Sequence, residues 1–122
     1  MDLTPGLHAT VALTVGDADT AVALGSGDVA VLGTPRVVAL AEQAAVAAVQ
    51  GALPPERTSV GTRVELDHLA ASRVGATVTA TAELTAVEGR RLTFTVVVRE
   101  GDAEVARGRH LRAVVDRARF AP

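Results

Sequence analysis

The 122-residue chain has no cysteine, tryptophan, tyrosine, lysine, isoleucine or asparagine. Lack of cysteine excludes a disulfide framework, a thiol nucleophile and a thiolate metal site. The aromatic residues reduce to Phe94 and Phe120, too few for the stacking platforms that hold single-stranded nucleic acid. Lysine is absent, so all 12 basic residues are arginine; they are scattered and set against 14 acids, for a net charge of −2. That balance argues against duplex nucleic acid as a partner, although guanidinium forks still suit one small anionic ligand. Long apolar runs are missing too. Gly, Arg or Glu interrupts each of them short of the roughly 18 residues a membrane-spanning helix needs. The opening MDLTPGLHAT lacks a basic segment followed by an apolar one. No secretory signal is therefore expected, and the cytoplasm is the default location.

What the chain does have is small apolar residues. Hydrophobic residues make up 48% of it, led by 24 Ala and 20 Val, well above the level of a disordered chain. At this length about 65–70% of the unfolded surface becomes buried, enough for one core. There is no repeat, linker or shift in composition, so residues 1–122 are expected to form one domain.

Residues 7–15 (LHATVALTV) are rich in β-branched side chains and predict a strand. Asp and Gly punctuate 16–33, which reads as a loop with short edge strands. Gly25-Ser26-Gly27 is no phosphate loop, because no Lys follows it. Thr34-Pro35 marks a helix start: Thr can cap exposed N–H groups and Pro is tolerated at the first position. The helix should run to Gln50, stopped by Gly51 and Pro54-Pro55. It is apolar nearly all round, which predicts burial. Four strands follow at 58–71, 76–87, 91–99 and 103–116, each with period-2 alternation. Glu88-Gly89-Arg90 and Gly101-Asp102 are the turns between the last three. The fold class is α+β, one strand and one buried helix followed by a four-strand antiparallel meander. That layout is similar to the hot-dog fold. With so few aromatics the core of one copy is thin, so a homodimer is expected.

Four residues break these patterns. Glu42 lies deep in the apolar helix, where an unpaired carboxylate is costly; His68 and the Thr34 hydroxyl are the expected partners. Removing its charge is then expected to leave stability unchanged or raise it. His68 shares the strand face of Val64 and Leu66, opposite Arg63, Glu65 and Asp67, so an imidazole on the sheet meets a carboxylate on the helix it covers. Taken alone, Glu42 reads also as part of a solvent-exposed strip beside Gln43, His68 as a core histidine, Thr34 as a cap and Arg112 as a solvated strand charge. Thr34 and Glu42 are about 12 Å apart along a regular helix. A site using both must start the helix later or be completed across a dimer axis. No histidine pair has metal spacing, and no cofactor is expected.

Gly25-Ser26-Gly27 with VLGTP (31–35), ALAEQAA (39–45), TSVGTRVELDHLAAS (58–72), TVTATAELTAVEGRRLTF (77–94) and GRHLRAVV (108–115) carry a resemblance over nearly the whole chain. It resembles the fluoroacetyl-CoA thioesterase-like family of hot-dog enzymes. The resemblance implies hydrolysis of a small acyl-CoA thioester by Thr34, Glu42 and His68, with Gly61 and Arg112 lining the substrate pocket at a dimer interface. It implies neither nucleic acid nor membrane as partner. Ser72-Arg73 departs from the Thr-Pro usual in that family, and no aromatic residue precedes VLGTP. An arginine at the pocket mouth, Arg57, Arg63 or Arg73, is the expected contact for the CoA phosphates. The alternative function is a non-catalytic acyl-CoA-binding protein. A hydratase, the third option, would need a His and Asp set that is not found.

Overall fold

The computed structural model describes residues 2–120. In chain order the elements are β1 (His8–Thr14), α1 (Ala21–Leu24), α2 (Thr34–Val49), β2 (Arg57–His68), β3 (Thr77–Glu88), β4 (Arg91–Glu100) and β5 (Ala103–Asp116), with 3₁₀ turns at Asp17–Asp19, Gln50–Ala52 and Arg117–Arg119. The strands form one antiparallel sheet in the order β1-β3-β4-β5-β2. This is the α+β, hot-dog layout, with one correction to the expected meander. Only β3, β4 and β5 are consecutive neighbours, while β2 lies at the far edge against β5. The connections explain it. Two-residue turns with Gly89 (φ 62°) and Gly101 (φ 58°) in the left-handed region force adjacent pairing. The stretch 69–76 between β2 and β3 is long enough to carry the chain across the sheet.

Segment 16–33 differs from the expected loop with edge strands. Thr20 caps the one-turn α1 by accepting from the Ala23 N–H, and Gly25 closes it at φ 72°. Single bridges then tie Thr20 to Leu32 and Val31 to Arg73. Too few neighbouring residues are extended here for a ladder to propagate.

Helix α2 starts one residue earlier than the Thr34 cap reading requires. Gly33 is the N-cap and Thr34 makes no capping bond, because its hydroxyl is engaged elsewhere. One face buries Val37, Leu40, Ala41, Ala44, Ala45, Ala48 and Val49 against, chiefly, β1 and β3. Helix α2 packs on β3, and Ala41, Ala44 and Ala45 of the helix and Ala80 and Ala82 of the strand are all fully buried. Phe94 is the largest buried side chain and fills the centre with Leu32, Leu40, Leu84 and Leu92. The expectation of a helix buried all round is not met. Gln43, Val46, Ala47 and Gln50 form an exposed stripe, because one sheet covers only one side.

Strands β3 and β4 follow the predicted alternation, with Val78, Ala80, Ala82, Leu84, Leu92, Phe94, Val96 and Val98 all buried. Strand β2 does not. Its register against β5 slips between Gly61 and Arg63, passing over Thr62. This bulge returns Gly61 and Ser59 to the face of Val64, Leu66 and His68. Unbroken alternation would have left Gly61 outside with Arg63.

Candidate active site

The five residues singled out in the sequence fall into two groups. The first is Thr34 and His68. Thr34 begins α2 and His68 ends β2; Thr34 Oγ1 and His68 Nδ1 are 2.8 Å apart, a strong hydrogen bond. His68 Nε2 is enclosed and has no partner among the described residues. The pair borders a cavity of about 370 Å³ whose other walls are the 26–33 segment and residues 69–71. The small side chains of Gly27, Gly33, Ala70 and Ala71 leave room beside the imidazole.

The second group is Glu42, Gly61 and Arg112, joined by two residues that sequence reasoning missed, Ser59 and His110. Arg112 is 6% exposed, so it is not a solvated strand charge. Its Nε donates to Ser59 Oγ (2.8 Å), Nη2 to the Ser59 carbonyl (3.0 Å), and Nη1 to both Glu42 Oε2 and His110 Nε2 (3.1 Å each). Glu42 therefore takes its charge partner from Arg112 on β5. This corrects the expectation of His68 or Thr34, which sit at the other end of the helix. Its carboxylate is also less enclosed than expected, with its side chain 39% exposed. Burial lowers the Arg112 pKa, opposed by the attraction and hydrogen bond of Glu42. His110 is fully buried, stacked on Phe94 at 6.3 Å between ring centroids. Gly61 is where side chains from helix and sheet converge. A Cβ there would collide with Glu42 Oε2 and lie 3.2 Å from His110 Cε1. The group borders an open trough of about 400 Å³ along Ala39, Gln43, Val46, Ala47 and Gln50.

His110 and Ser59 carried a legible signal only in part. His110 shares strand parity with Arg112, but nothing in the sequence places Ser59 beneath that guanidinium. The arginines expected to meet CoA phosphates do not border either cavity. Arg57 faces Asp116 (3.4 Å) and Arg63 faces Glu65 (2.7 Å), while Arg73 bridges Val31 through its backbone. No three His, Asp or Glu side chains among the described residues are grouped to hold a metal ion.

Within one copy the groups are separate. Thr34 and Glu42 occupy opposite halves of α2, about 12 Å apart along its axis. One group pairs a hydroxyl with an imidazole. The other presents a carboxylate anchored by a buried guanidinium, next to backbone that a glycine leaves open. The first can move a proton, and the second sets a carboxylate beside a fixed positive charge.

The comparisons with known proteins bear on the family and the fold. The family model for fluoroacetyl-CoA-specific thioesterase matches residues 15–118. A fluoroacetyl-CoA thioesterase from Streptantibioticus cattleyicolor is 43% identical over 90 residues; the match covers 74% of this chain and 65% of that protein. Among solved structures, a phenylalanine-to-alanine variant of the fluoroacetyl-CoA-specific thioesterase FlK, in complex with fluoroacetate and CoA, superposes with a TM-score of 0.90. It is 35% identical, and the match covers 98% of this chain and all of that one. A hot-dog-like protein from Thermanaerovibrio acidaminovorans is similar at 26% identity and a TM-score of 0.88, over 98% of this chain and 92% of that one. A hot-dog sheet, a helix-borne glutamate and an imidazole held by a threonine thus stand in a chain that belongs to the fluoroacetyl-CoA-specific thioesterase family.

Proposed function

We propose that this protein hydrolyses a small acyl-CoA thioester at a site assembled from two copies of the chain, Thr34 and His68 coming from one and Glu42, Gly61 and Arg112 from the other. The observation that carries this reading is the division of the site. A hydroxyl–imidazole pair and a carboxylate–guanidinium pair sit apart in one copy, each open on one side. Two features favour a second copy. Strand β2 is a sheet edge, with β5 as its only partner strand among the described residues, and unpaired strand edges favour pairing. The exposed stripe of α2 is lined by Ala39, Val46 and Ala47, small enough for close packing.

In the reaction the thioester carbonyl carbon gains an oxygen and its bond to sulfur breaks. His68 takes the proton from the attacking water, either at the thioester or at the mixed anhydride formed as Glu42 displaces CoA thiolate, and passes it to the CoA sulfur. Thr34 orients the imidazole through Nδ1. Glu42, held by its hydrogen bond from Arg112, attacks the carbonyl or activates water. Trapping the acyl group on the protein in a single turnover separates these routes, since only attack by Glu42 forms an acyl–glutamyl anhydride. Backbone N–H groups near Gly61 or the start of α2 face the developing oxyanion. Arg112 holds the acyl end of the substrate. The relatives named for fluoroacetyl-CoA favour a short acyl group. Fluoroacetyl specificity is not carried over, because this chain has no aromatic residue in 16–33. The protein would act in the cytoplasm, alongside its CoA substrate.

The test is thiol release from a panel of acyl-CoAs of increasing chain length. Turnover of the short members is expected. Binding without thiol release across the panel would identify a non-catalytic acyl-CoA-binding protein instead.

A further inference from the structure

His110 is a buried titratable group that the mechanism above does not use. Its hydrogen bonds settle its tautomer. Nδ1 lies 2.8 Å from the Arg63 carbonyl oxygen, which only accepts, so Nδ1 carries the hydrogen. Nε2 lies 3.1 Å from Arg112 Nη1, which only donates, so Nε2 offers a lone pair. A neutral imidazole satisfies both contacts and an imidazolium satisfies one.

We propose that His110 is a positioning residue for Arg112. Its Nε2 lone pair fixes Nη1 in the direction of Glu42 and the acyl site, and does so only while the ring is neutral.

The surrounding groups bear this out. Helix α2 contributes the Glu42 carboxylate, with Oε2 at 3.8 Å from Nε2. Strand β5 itself contributes Arg112, β2 the Arg63 carbonyl, and β4 the apolar ring of Phe94. Once protonated, His110 loses its acceptor for Arg112, sets a second positive charge against it, and competes for the same Glu42 oxygen. The guanidinium keeps its Ser59 bonds at Nε and Nη2, but Nη1 must then share Glu42 Oε2 with the imidazolium and is pushed away from it by the added charge. Burial lowers the His110 pKa from its ordinary value, with Arg112 acting in the same direction and the Arg63 carbonyl and Glu42 opposing. The neutral form is thus the working form near neutral pH.

This inference rests on Arg112 binding the acyl group, and its test separates the two ideas. Two variants are compared with the parent. His110→Phe keeps a ring on Phe94 but removes the acceptor. His110→Gln places a non-titrating carbonyl near the Nε2 position. At pH 8, His110→Phe is expected to raise KM tenfold or more with kcat changed less than threefold, and His110→Gln to recover most of that loss. The acid-side rise of KM in the parent should be flattened in His110→Gln. Nitrogen-15 NMR of the parent reads the tautomer without any assay, and Nδ1–H with a bare Nε2 is expected at neutral pH. An Nε2–H tautomer, or parental KM in His110→Phe, overturns the proposal. A parent that shows the expected tautomer but releases no thiol overturns the thioesterase reading and leaves the His110–Arg112 contact standing.

Discussion

At the scale of single residues, the site is governed by what each charge has for a partner. Arg112 is buried and Glu42 is its only counter-charge within 4 Å among the described residues. Removing one member of such a pair leaves an uncompensated charge. Glu42→Gln is therefore expected to abolish most turnover and also to lower stability, by about 1–2 kcal/mol once the partial exposure of Glu42 is discounted. Paired thermal melts and thiol-release rates check this. An unchanged melting temperature would mean that water, not Glu42, balances Arg112. The sign is opposite to that expected from a carboxylate among apolar neighbours, because the dominant buried charge is the arginine. His68→Ala is expected to lower kcat by about 10²-fold or more, as for loss of a general base, with little change in fold. A parental rate would return His68 to the role of a core histidine.

At the scale of elements, the bulge in β2 and the outer stripe of α2 each make a prediction. Only Gly61, turned inward by the bulge at Thr62, lets the Glu42 carboxylate pass that close to the strand. In Gly61→Ala the new methyl collides with Glu42 Oε2, so Glu42 must swing away from Arg112. Loss of activity is expected with the sheet intact, read as near-parental circular dichroism beside a kcat/KM lowered at least tenfold. Full activity would show that Glu42 works from another rotamer. Val46 lies on the exposed stripe of α2, 40% exposed in one copy. A charge there costs little in a monomer and much in an interface core. Val46→Glu should shift sedimentation from dimer to monomer at micromolar concentration and remove activity with it. A Val46→Glu variant that stays dimeric and active would put the interface elsewhere.

At the scale of the whole molecule, His110 couples stability to pH. Its pKa in the fold is below the ordinary 6.5. Below that value the unfolded chain binds a proton that the folded chain refuses, so stability falls as pH drops through the interval down to the folded pKa. Above 6.5 both states are neutral and the term vanishes. The expected slope is at most about 1.4 kcal/mol per pH unit. Compared with His110→Gln, the parent should lose stability progressively below pH 6.5 and match its pH dependence above it. Denaturant unfolding of both proteins at several pH values measures the difference, and parallel curves throughout would mean that His110 takes up its proton equally in both states.

Periodicity alone was enough for the α+β class, for the helix from Thr34 and for the inward faces of β3 and β4, because alternation and helical repeat are local properties that survive in any tertiary setting. It also marked Glu42 and His68 as polar residues on apolar faces. Three things lay beyond its reach. The place of β2 at the sheet edge depends on which strands the connections allow to meet. The inward turn of Gly61 and Ser59 depends on a bulge that a one-residue slip against β5 creates, and alternation cannot register a slip that its own strand does not encode. The partner of Glu42 depends on contacts 70 residues apart in the chain, where a buried arginine on β5, held by Ser59 and His110, outcompetes the nearer candidates. Local patterns select the elements, and long-range packing selects which side chains share a charge.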